Sequence, residues 1–366
     1  MPREKESSLW EPDYAVVPGD TLQETIDELG MTQRELASRT GLTGKTINRI
    51  IKGKDPITAD TACKLEIATG VPASLWNNLE RHFREQKARL EQRNRLANSY
   101  EWVKQTFPIA ELRRRGLISA SSAQVDVVES VLKFFGTASP EAWEKANANA
   151  LALFRRSKRL VARHGVATTW LRLAEIEAHK VACEQFSAER FREALDRIRP
   201  LVRVQKPGFD EQMQSECASA GVALVFVPEF KGGGINGATR WLSPDRAMIA
   251  LSIRGRFADI FWFTFFHKAA HVLKHNKKCL FVEAGGASSD VAELEQEANQ
   301  FASDFLVPRS EQSQLLKLKT SQAITAFARK HGVHPGIIVG QLAHRDPRAY
   351  SRFAELRTKF EWAEEP

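Results

Sequence analysis

The first eighty residues alternate short helical-period apolar runs with glycine, a pattern typical of closely spaced helices. The first helix is predicted over "TLQETIDELG", with Asp20 as its N-cap and Gly30 at its end. Pro72 suits the first turn of a fifth helix. The three helices between them have threonine N-caps and glycine ends, namely Thr32 and Gly41, Thr43 and Gly53, and Thr58 and Gly70. The segment is therefore predicted to form five short helices.

The middle of the chain keeps the helical period but carries more charge. Residues 84–115 are charged and helical in pattern, with an interruption at Pro108. Residues 120–200 still favour helix, and Ser139 with Pro140 opens one of these helices. The middle therefore continues the helical part of the chain.

The pattern changes near residue 205, where short apolar runs separated by turn signals predict strands. The predicted strands are 221–230, 238–243, 247–255 and a short one within "KCLFVEAGG". Two helices follow the third strand and the fourth: "FTFFHKAAHVLKH", with Asp259 as its N-cap, and "SDVAELEQEANQFASDFLVP", which Pro308 ends. Residues 311–366 are helical again. The predicted fold class is mainly α, with an α+β C-terminal part.

Bulk composition narrows the class of protein. The 366 residues are 43% hydrophobic, and no 18-residue apolar run predicts a membrane span. The N-terminal segment is charged and lacks the apolar centre of a signal peptide. The four cysteines are scattered without a CxxC pair, which favours reduced thiols. We therefore expect a cytoplasmic protein.

The net charge of +8 is concentrated in one short segment. Residues 31–54 contain six basic side chains and one acidic side chain, Glu35. The segment contains a predicted helix, a tight turn at Gly41 and a second predicted helix. This order is typical of a helix-turn-helix. The second helix places Ile47, Ile50 and Ile51 inward and a polar face outward. An ordinary hairpin with a basic face is the alternative, but capping, spacing and clustered charge together favour DNA binding.

The predicted DNA contacts lie on and just before this second helix. Asn48 and Arg49 can hydrogen-bond base edges, whereas threonine and lysine side chains favour phosphate. Gln33 begins the preceding helix, where the helix dipole favours contact with a phosphate. The predicted DNA-binding residues are Gln33, Arg34, Thr43, Lys45, Thr46, Asn48, Arg49 and Lys52.

The motifs "MTQRELA", "INRIIKGK" and "ITADTACKLE" stand in the order of a known family. Over residues 14–80 the chain resembles the Xre-type helix-turn-helix of HigA antitoxins. The resemblance implies a five-helix lambda-repressor-like domain and a homodimer on a palindromic operator. It also implies autoregulation and a cognate toxin as a partner.

Two histidines four residues apart, His267 and His271, share one helix face and can reach a single zinc ion. The predicted helix "AELEQEANQFASDFLVP" offers Glu293, Glu295 and Glu297 as a third ligand, although not all three can face one point. Glu295 borders the apolar face of that helix. Asn299, four residues later, could hydrogen-bond a histidine ring and orient it.

Residues 176–308 contain the motifs "HKAAH" and "EQEANQFA", which are similar to those of a second family. This part resembles the ImmA/IrrE zinc peptidase-like domains, a zincin-like α+β fold whose motifs are HExxH and a downstream acidic helix. The resemblance implies Zn²⁺ bound by His267, His271 and Glu295. It also implies that the strand "AMIALS" supplies an edge for an extended peptide.

The chain departs from that family at Lys268, which occupies the position of the general base. An ammonium has no lone pair to accept a proton, and loss of a general base typically slows the reaction about 10²–10⁴-fold. Three interpretations remain open. The domain is a pseudo-peptidase that senses a ligand or partner, or an active zinc endopeptidase in which a neutral Lys268 is the base. In the third interpretation the two helix histidines only pack or hydrogen-bond.

The combined patterns predict a transcriptional regulator with four segments. Its partners are predicted to be operator DNA, a second copy of the chain and a toxin, with Zn²⁺ as a possible cofactor. The predicted segments are a helix-turn-helix domain at 14–84, a helical connector at 85–175, a peptidase-like domain at 176–308 and a helical tail at 309–366.

Overall fold

A computed structural model describes residues 14–148, 150–151, 164–203, 207–275, 281–283 and 289–362. The chain divides into two compact units. The first comprises the described residues up to Tyr100 together with Ala123–Val128, and the second comprises Glu101–Ser122 and the described residues from Glu129 onward. Helices predominate, and the described strands lie in the second unit. The predicted fold class, mainly α with an α+β C-terminal part, is confirmed.

Five helices form the first unit between residues 18 and 97, as the sequence predicts. They are α1 (Pro18–Glu28), α2 (Gln33–Thr40), α3 (Gly44–Ile51), α4 (Ala59–Thr69) and α5 (Ala73–Ala97). Leu22, Leu36, Ile47, Leu65 and Trp76 are buried in their common core. A β-carbon at Gly19 would lie 2.2 Å from the Ile51 carbonyl oxygen, so α1 and α3 meet at a point that only glycine permits.

In the first unit the predicted threonine caps are confirmed, and the predicted aspartate cap is wrong. The hydroxyls of Thr32, Thr43 and Thr58 each accept a hydrogen bond from the backbone N–H three residues later. Asp20 is not an N-cap, because α1 begins two residues earlier at Pro18. Proline fixes φ near the helical value and needs no hydrogen-bond acceptor for an N–H, so it starts the helix first. Asp20 instead places its carboxylate in the positive first turn.

The helices α6 to α18 follow, and most of them belong to the second unit. They are α6 (Tyr100–Thr106), α7 (Ile109–Arg114), α8 (Gln124–Phe135), α9 (Pro140–Ala146), α10 (His164–Lys180), α11 (Ala188–Ile198), α12 (Phe209–Ser219), α13 (Ala258–Lys274), α14 (Ser289–Leu306), α15 (Gln312–Leu315), α16 (Ser321–Lys330), α17 (Pro335–Arg345) and α18 (Ala349–Arg352). The described residues also include the 3₁₀ segments Arg199–Val202 and Ala354–Leu356.

Four strands form the sheet of the second unit in the order β1-β3-β2-β4. They are β1 (Val222–Phe226), β2 (Gly237–Ser243), β3 (Arg246–Leu251) and β4 (Phe281–Glu283). β3 pairs in parallel with β1 and antiparallel with β2, and β4 is the outer neighbour of β2. The expectation that "AMIALS" supplies a peptide-binding edge is therefore wrong: β3 has a strand on both sides and its ladder is already occupied.

The strands end earlier than their apolar runs suggest. β1 stops before Pro228, which has no N–H for the ladder. β3 stops at Leu251 because the chain then turns, with positive φ at Ile253, Gly255 and Arg256. That turn leads directly into α13.

Helix α13 is the central helix of the second unit. A β-carbon at Gly237 would lie 2.9 Å from the side chain of Thr264, so α13 lies directly on β2. Its aromatic residues Trp262, Phe265 and Phe266 are buried in a core that extends to Ile338 on α17. Residues of the predicted C-terminal tail thus share one core with the peptidase-like part. None of the described helices is both long and apolar enough to cross a membrane.

The N-cap predicted for α13 is wrong. Phe257 precedes the helix, and Asp259 lies inside the first turn with its carboxylate buried. Arg357 binds both oxygens of that carboxylate at 2.9 and 3.1 Å. This long-range ion pair, which fixes the C-terminal segment against the start of α13, has no local sequence signal.

Candidate functional site

The helix-turn-helix is formed by α2, α3 and the turn between them. Gly41 ends α2 in the left-handed conformation, with φ of 69°, which allows the chain to reverse at once. Thr43 then caps α3, and its hydroxyl also lies 2.8 Å from that of Thr46. Ile47 and Ile50 anchor α3 in the core. The opposite face of this eight-residue helix is left for solvent.

The predicted DNA-binding side chains lie on that solvent side and before it. Lys45, Arg49 and Lys52 are exposed, whereas Thr46 and Asn48 are half-buried. Arg34 and Thr43 are exposed as well, and Gln33 is the half-buried first residue of α2. The arrangement is that of a polar, basic helix presented on a rigid apolar base.

The amide side chains of Gln33 and Asn48 belong to a short series of hydrogen bonds that includes Gln23, a residue that sequence reasoning missed. Gln33 donates a hydrogen bond to Gln23 on α1, with Nε2 2.7 Å from Oε1. Asn48 Nδ2 lies 3.5 Å from the Gln33 Oε1. The three amides therefore link α1, α2 and α3, which orients Asn48 before any ligand binds. Gln23 carried no signal because its partner is ten residues away on another helix.

Arg49 has an intramolecular partner, Asp55, which the sequence analysis also missed. Its guanidinium donates two hydrogen bonds to the Asp55 carboxylate, at 2.8 and 2.7 Å. The hydrogen bond from Arg49 lowers the pKa of Asp55, and Asp55 in turn raises the pKa of Arg49. Both groups stay ionised at neutral pH. Any DNA group that Arg49 contacts must compete with Asp55 for this arginine.

Asp55→Asn is expected to tighten DNA binding about two- to fivefold at low salt, because it releases Arg49 and removes a repulsive charge. Titration of a fluorescent DNA duplex with each protein at several salt concentrations measures the change. Asp60→Asn is the matched control, since Asp60 is an exposed carboxylate of the same unit that pairs with Lys64 on α4. Equal affinities for Asp55→Asn and wild type would show that Arg49 does not contact DNA.

In the second unit, the structure brings His267, His271 and Glu295 together at one point. The two histidines are one turn apart on α13, and Glu295 reaches them from α14. The Nε2 atoms of His267 and His271 are 3.0 Å apart. Glu295 places Oε2 3.2 Å from the first and Oε1 3.5 Å from the second. Among the described residues, these three form a group with the donor set of a metal site.

The spacing of these atoms is compatible with a transition-metal ion. Zinc–nitrogen bonds of about 2.0–2.1 Å in a tetrahedron separate neighbouring ligand atoms by about 3.3 Å. The three observed separations lie on either side of that value. Two imidazole nitrogens and a carboxylate that face one another need a positive charge between them. A divalent cation satisfies all three groups, whereas a single proton satisfies two.

Both histidine rings are held by hydrogen bonds on the side away from this point. Asn299 Oδ1 lies 2.9 Å from His267 Nδ1, the position predicted for a residue that orients the ring. His271 Nδ1 lies 2.7 Å from His275 Nδ1, and His275 Nε2 lies 3.1 Å from Glu297 Oε2. Glu297 as a partner of His275 was missed because its position depends on how α13 and α14 pack. Glu293 is exposed to solvent.

Lys268, immediately after the first histidine, lies fully inside the protein. Burial lowers the pKa of His271, and the charge of Lys268 lowers it further, so this ring is neutral. Burial raises the pKa of Glu295, but the hydrogen bond with His267 and the charge of Lys268 outweigh burial and lower it overall. The site therefore combines neutral His271 with an ionised carboxylate. A protonated Lys268 would oppose a dication at this point.

A cleft of about 810 Å³ opens beside Glu295. It lies between α13, α14 and the C-terminal helix α17, and its polar lining is rich in side-chain amides. Its lining includes Thr264, Gln296, Asn299, Gln300 and Gln341. The cleft is large enough for a ligand that combines apolar and hydrogen-bonding groups.

Each of the two units contains a match to a different known family. Residues 22–76 match the family model described as helix-turn-helix, and residues 239–342 match that of the IrrE N-terminal-like domain. The second match contains both histidines and Glu295.

Two known proteins are similar to part of this chain. An uncharacterized HTH-type transcriptional regulator, YddM, of Escherichia coli (strain K12) is 36% identical over 63 residues, which are 17% of this chain and 67% of that protein. A solved structure from Nostoc punctiforme PCC 73102, described as a candidate antidote protein of a plasmid maintenance system, is 27% identical. It covers 25% of this chain and 96% of its own, with a TM-score of 0.22.

Proposed function

We propose that this chain, which belongs to the HTH-type transcriptional regulators and carries an IrrE N-terminal-like domain, is an autorepressor of the antitoxin kind. Its first unit binds operator DNA in the cytoplasm. Its second unit senses a ligand or binds a partner through a degenerate metallopeptidase-like site. The single observation that carries the proposal is the exposed polar face of α3, combined on one chain with a peptidase-like helix whose base position is Lys268.

The DNA half of the proposal rests on complementary roles along α3. Asn48 is oriented by Gln33 and has the donor and acceptor needed to read an adenine edge. Lys45 and Lys52 are exposed cations at the two ends of the helix and suit phosphates. Gln33, Arg34, Thr43 and Thr46 add contacts at the adjoining helix N-termini.

A second copy of the chain and a toxin are proposed partners. A single eight-residue helix reads only a few base pairs, so helix-turn-helix proteins commonly pair two copies on a palindrome. We therefore propose a homodimer on the operator. The toxin is proposed from the likeness of residues 14–80 to the HigA antitoxins.

The proposed metal is zinc, held by His267, His271 and Glu295. When bound, zinc would supply a Lewis acid at the edge of the cleft. Asn299 accepts a hydrogen bond from His267 Nδ1, which leaves the Nε2 lone pair of that ring directed at the metal. Residue type and spacing thus support the proposed zinc-ligand set.

The proposed loss of catalysis rests on Lys268. A general base must accept a proton from water at the metal, and a buried ammonium cannot do so. With the ligands kept and the base lost, the cleft can still hold a peptide or another ligand without cleaving it. Binding of such a ligand in the cleft would change the DNA binding of the first unit.

An active zinc endopeptidase is the alternative function. The observation in its favour is that Glu295 and Asn299 line the cleft, so a substrate could reach the metal. It requires Lys268 to lose its proton and act as the base, as desolvation and a nearby dication would promote. A third possibility is that both units only hold a toxin. The cleavage of peptides by Lys268 variants distinguishes these functions.

Binding to DNA from its own promoter tests the first half of the proposal. We expect a complex of two chains per palindromic site, whose affinity falls steeply with salt because several phosphates are contacted. Absence of a promoter preference over unrelated DNA would contradict the autorepressor function.

A further inference from the structure

We propose that His275 and Glu297 form a positioning pair for the metal site. In this arrangement Glu297 fixes the tautomer of His275, and His275 fixes the orientation and tautomer of the ligand His271. The inference rests on the proposed metal site and extends it to two residues on the side of His271 away from the metal.

The three groups form a continuous chain of hydrogen bonds. It begins at the half-exposed Glu297 carboxylate on α14 and passes through the His275 ring, which is 1% exposed. It ends at His271, whose ring centroid is 4.8 Å from that of His275. Lys274 holds the other oxygen of Glu297 at 2.8 Å, which fixes the carboxylate.

The direction of each proton follows from the chemistry of the two ends. A carboxylate can only accept, so His275 donates to Glu297 from Nε2. With the single ring proton on Nε2, the Nδ1 lone pair of His275 accepts the proton of His271 Nδ1. His271 Nε2 is left unprotonated and faces Glu295 and His267. The Glu297 carboxylate thus determines, through His275, that Nε2 of His271 carries the lone pair that binds a metal.

His275 is not placed to be a ligand itself. Successive i, i+4 positions advance about 6 Å along a helix, so His275 is about two turns from His267. Its ring faces away from the point shared by His267, His271 and Glu295, with one nitrogen on His271 and the other on Glu297. A buried imidazole satisfied in this way acts on the metal through its neighbour.

Zinc affinity is the first test, measured on the full-length protein by competition with a chromogenic chelator. His275→Leu is expected to bind zinc about 10–100-fold more weakly than wild type, as is usual when the partner of a ligand histidine is removed. His275→Gln, which keeps an acceptor and a donor, should lose less. Glu297→Gln should also weaken binding. Glu293→Gln is the matched control, because it removes an exposed carboxylate of the same helix.

Imidazole tautomers provide a readout that loss of packing alone would not change. Long-range ¹⁵N–¹H spectra of zinc-loaded, histidine-labelled protein should show His271 protonated at Nδ1 and His275 protonated at Nε2. Glu297→Gln should convert His275 to a mixture of tautomers. The positioning role is overturned if His275→Leu binds zinc as tightly as wild type, and the metal site then still stands. If wild type binds no zinc, both the metal site and the positioning pair are wrong.

Discussion

Lys268→Glu is expected to raise peptide hydrolysis by the zinc-loaded protein about 10²–10⁴-fold over wild type. The substitution returns a proton acceptor to the position beside the metal, and this is the usual contribution of a general base. It also replaces a buried positive charge with a negative one, which strengthens the attraction for a dication. Cleavage of a fluorescence-quenched peptide library by wild type and variant, each with equimolar zinc, measures the effect.

Two further variants decide what a gain would mean. Lys268→Gln removes the charge without supplying a base, so its activity should stay near that of wild type. Adding His271→Ala to Lys268→Glu should abolish the gain. If wild type already cleaves peptides and Lys268→Gln destroys that activity, the active endopeptidase is correct and the degenerate site is wrong.

Asn48→Ala is expected to weaken binding to the operator about 10–100-fold, since a bidentate base contact contributes about 1–3 kcal/mol of discrimination. Affinity for unrelated DNA should hardly change, because phosphate contacts supply that binding. Alanine has the higher helix propensity, so the substitution does not lower the intrinsic helix propensity of α3. Fluorescence anisotropy with operator and scrambled duplexes measures both affinities.

The control for this variant is Asn77→Ala, which removes an exposed asparagine from α5 in the same unit. It should bind the operator like wild type. An Asn48→Ala protein that keeps full preference for the operator would show that α3 does not read base edges through this residue, and that specificity arises elsewhere.

Local sequence signals predicted the helices of the first unit well. A threonine cap acts on a backbone N–H three residues away, and Thr32, Thr43 and Thr58 all form such bonds. The two aspartate caps, Asp20 and Asp259, were wrong because more than one nearby residue could start each helix. In α13 the long-range ion pair with Arg357 takes up the carboxylate that a cap would use.

The order of strands could not be predicted from local pattern. The apolar run of β3 is equally suited to the edge or the centre of a sheet, and only its pairing with both β1 and β2 shows that it is central. The apolar runs also made the predicted β1 and β3 longer than the observed strands. The observed strands end near Pro228 and near Ile253, which has a positive φ.

In the candidate metal site, too, local sequence patterns predicted some residues, whereas residues that act through long-range contacts were missed. His267 and His271 follow from the helical period, and the border of the apolar face of α14 pointed to Glu295. Glu297 and Asp55 were missed as partners, because each acts on a residue that other elements or turns bring close. Their roles depend on tertiary packing, so the sequence spacing of the residues did not predict them.

Metal content is the measurement that tests the second unit most directly. Protein purified without a histidine tag or chelator, then dialysed against excess zinc and against buffer, should retain about one zinc per chain by mass spectrometry. A His271→Ala protein treated in the same way should retain none. Wild type that holds no more zinc than His271→Ala would contradict the account, because three converging ligand groups would then not form a metal site.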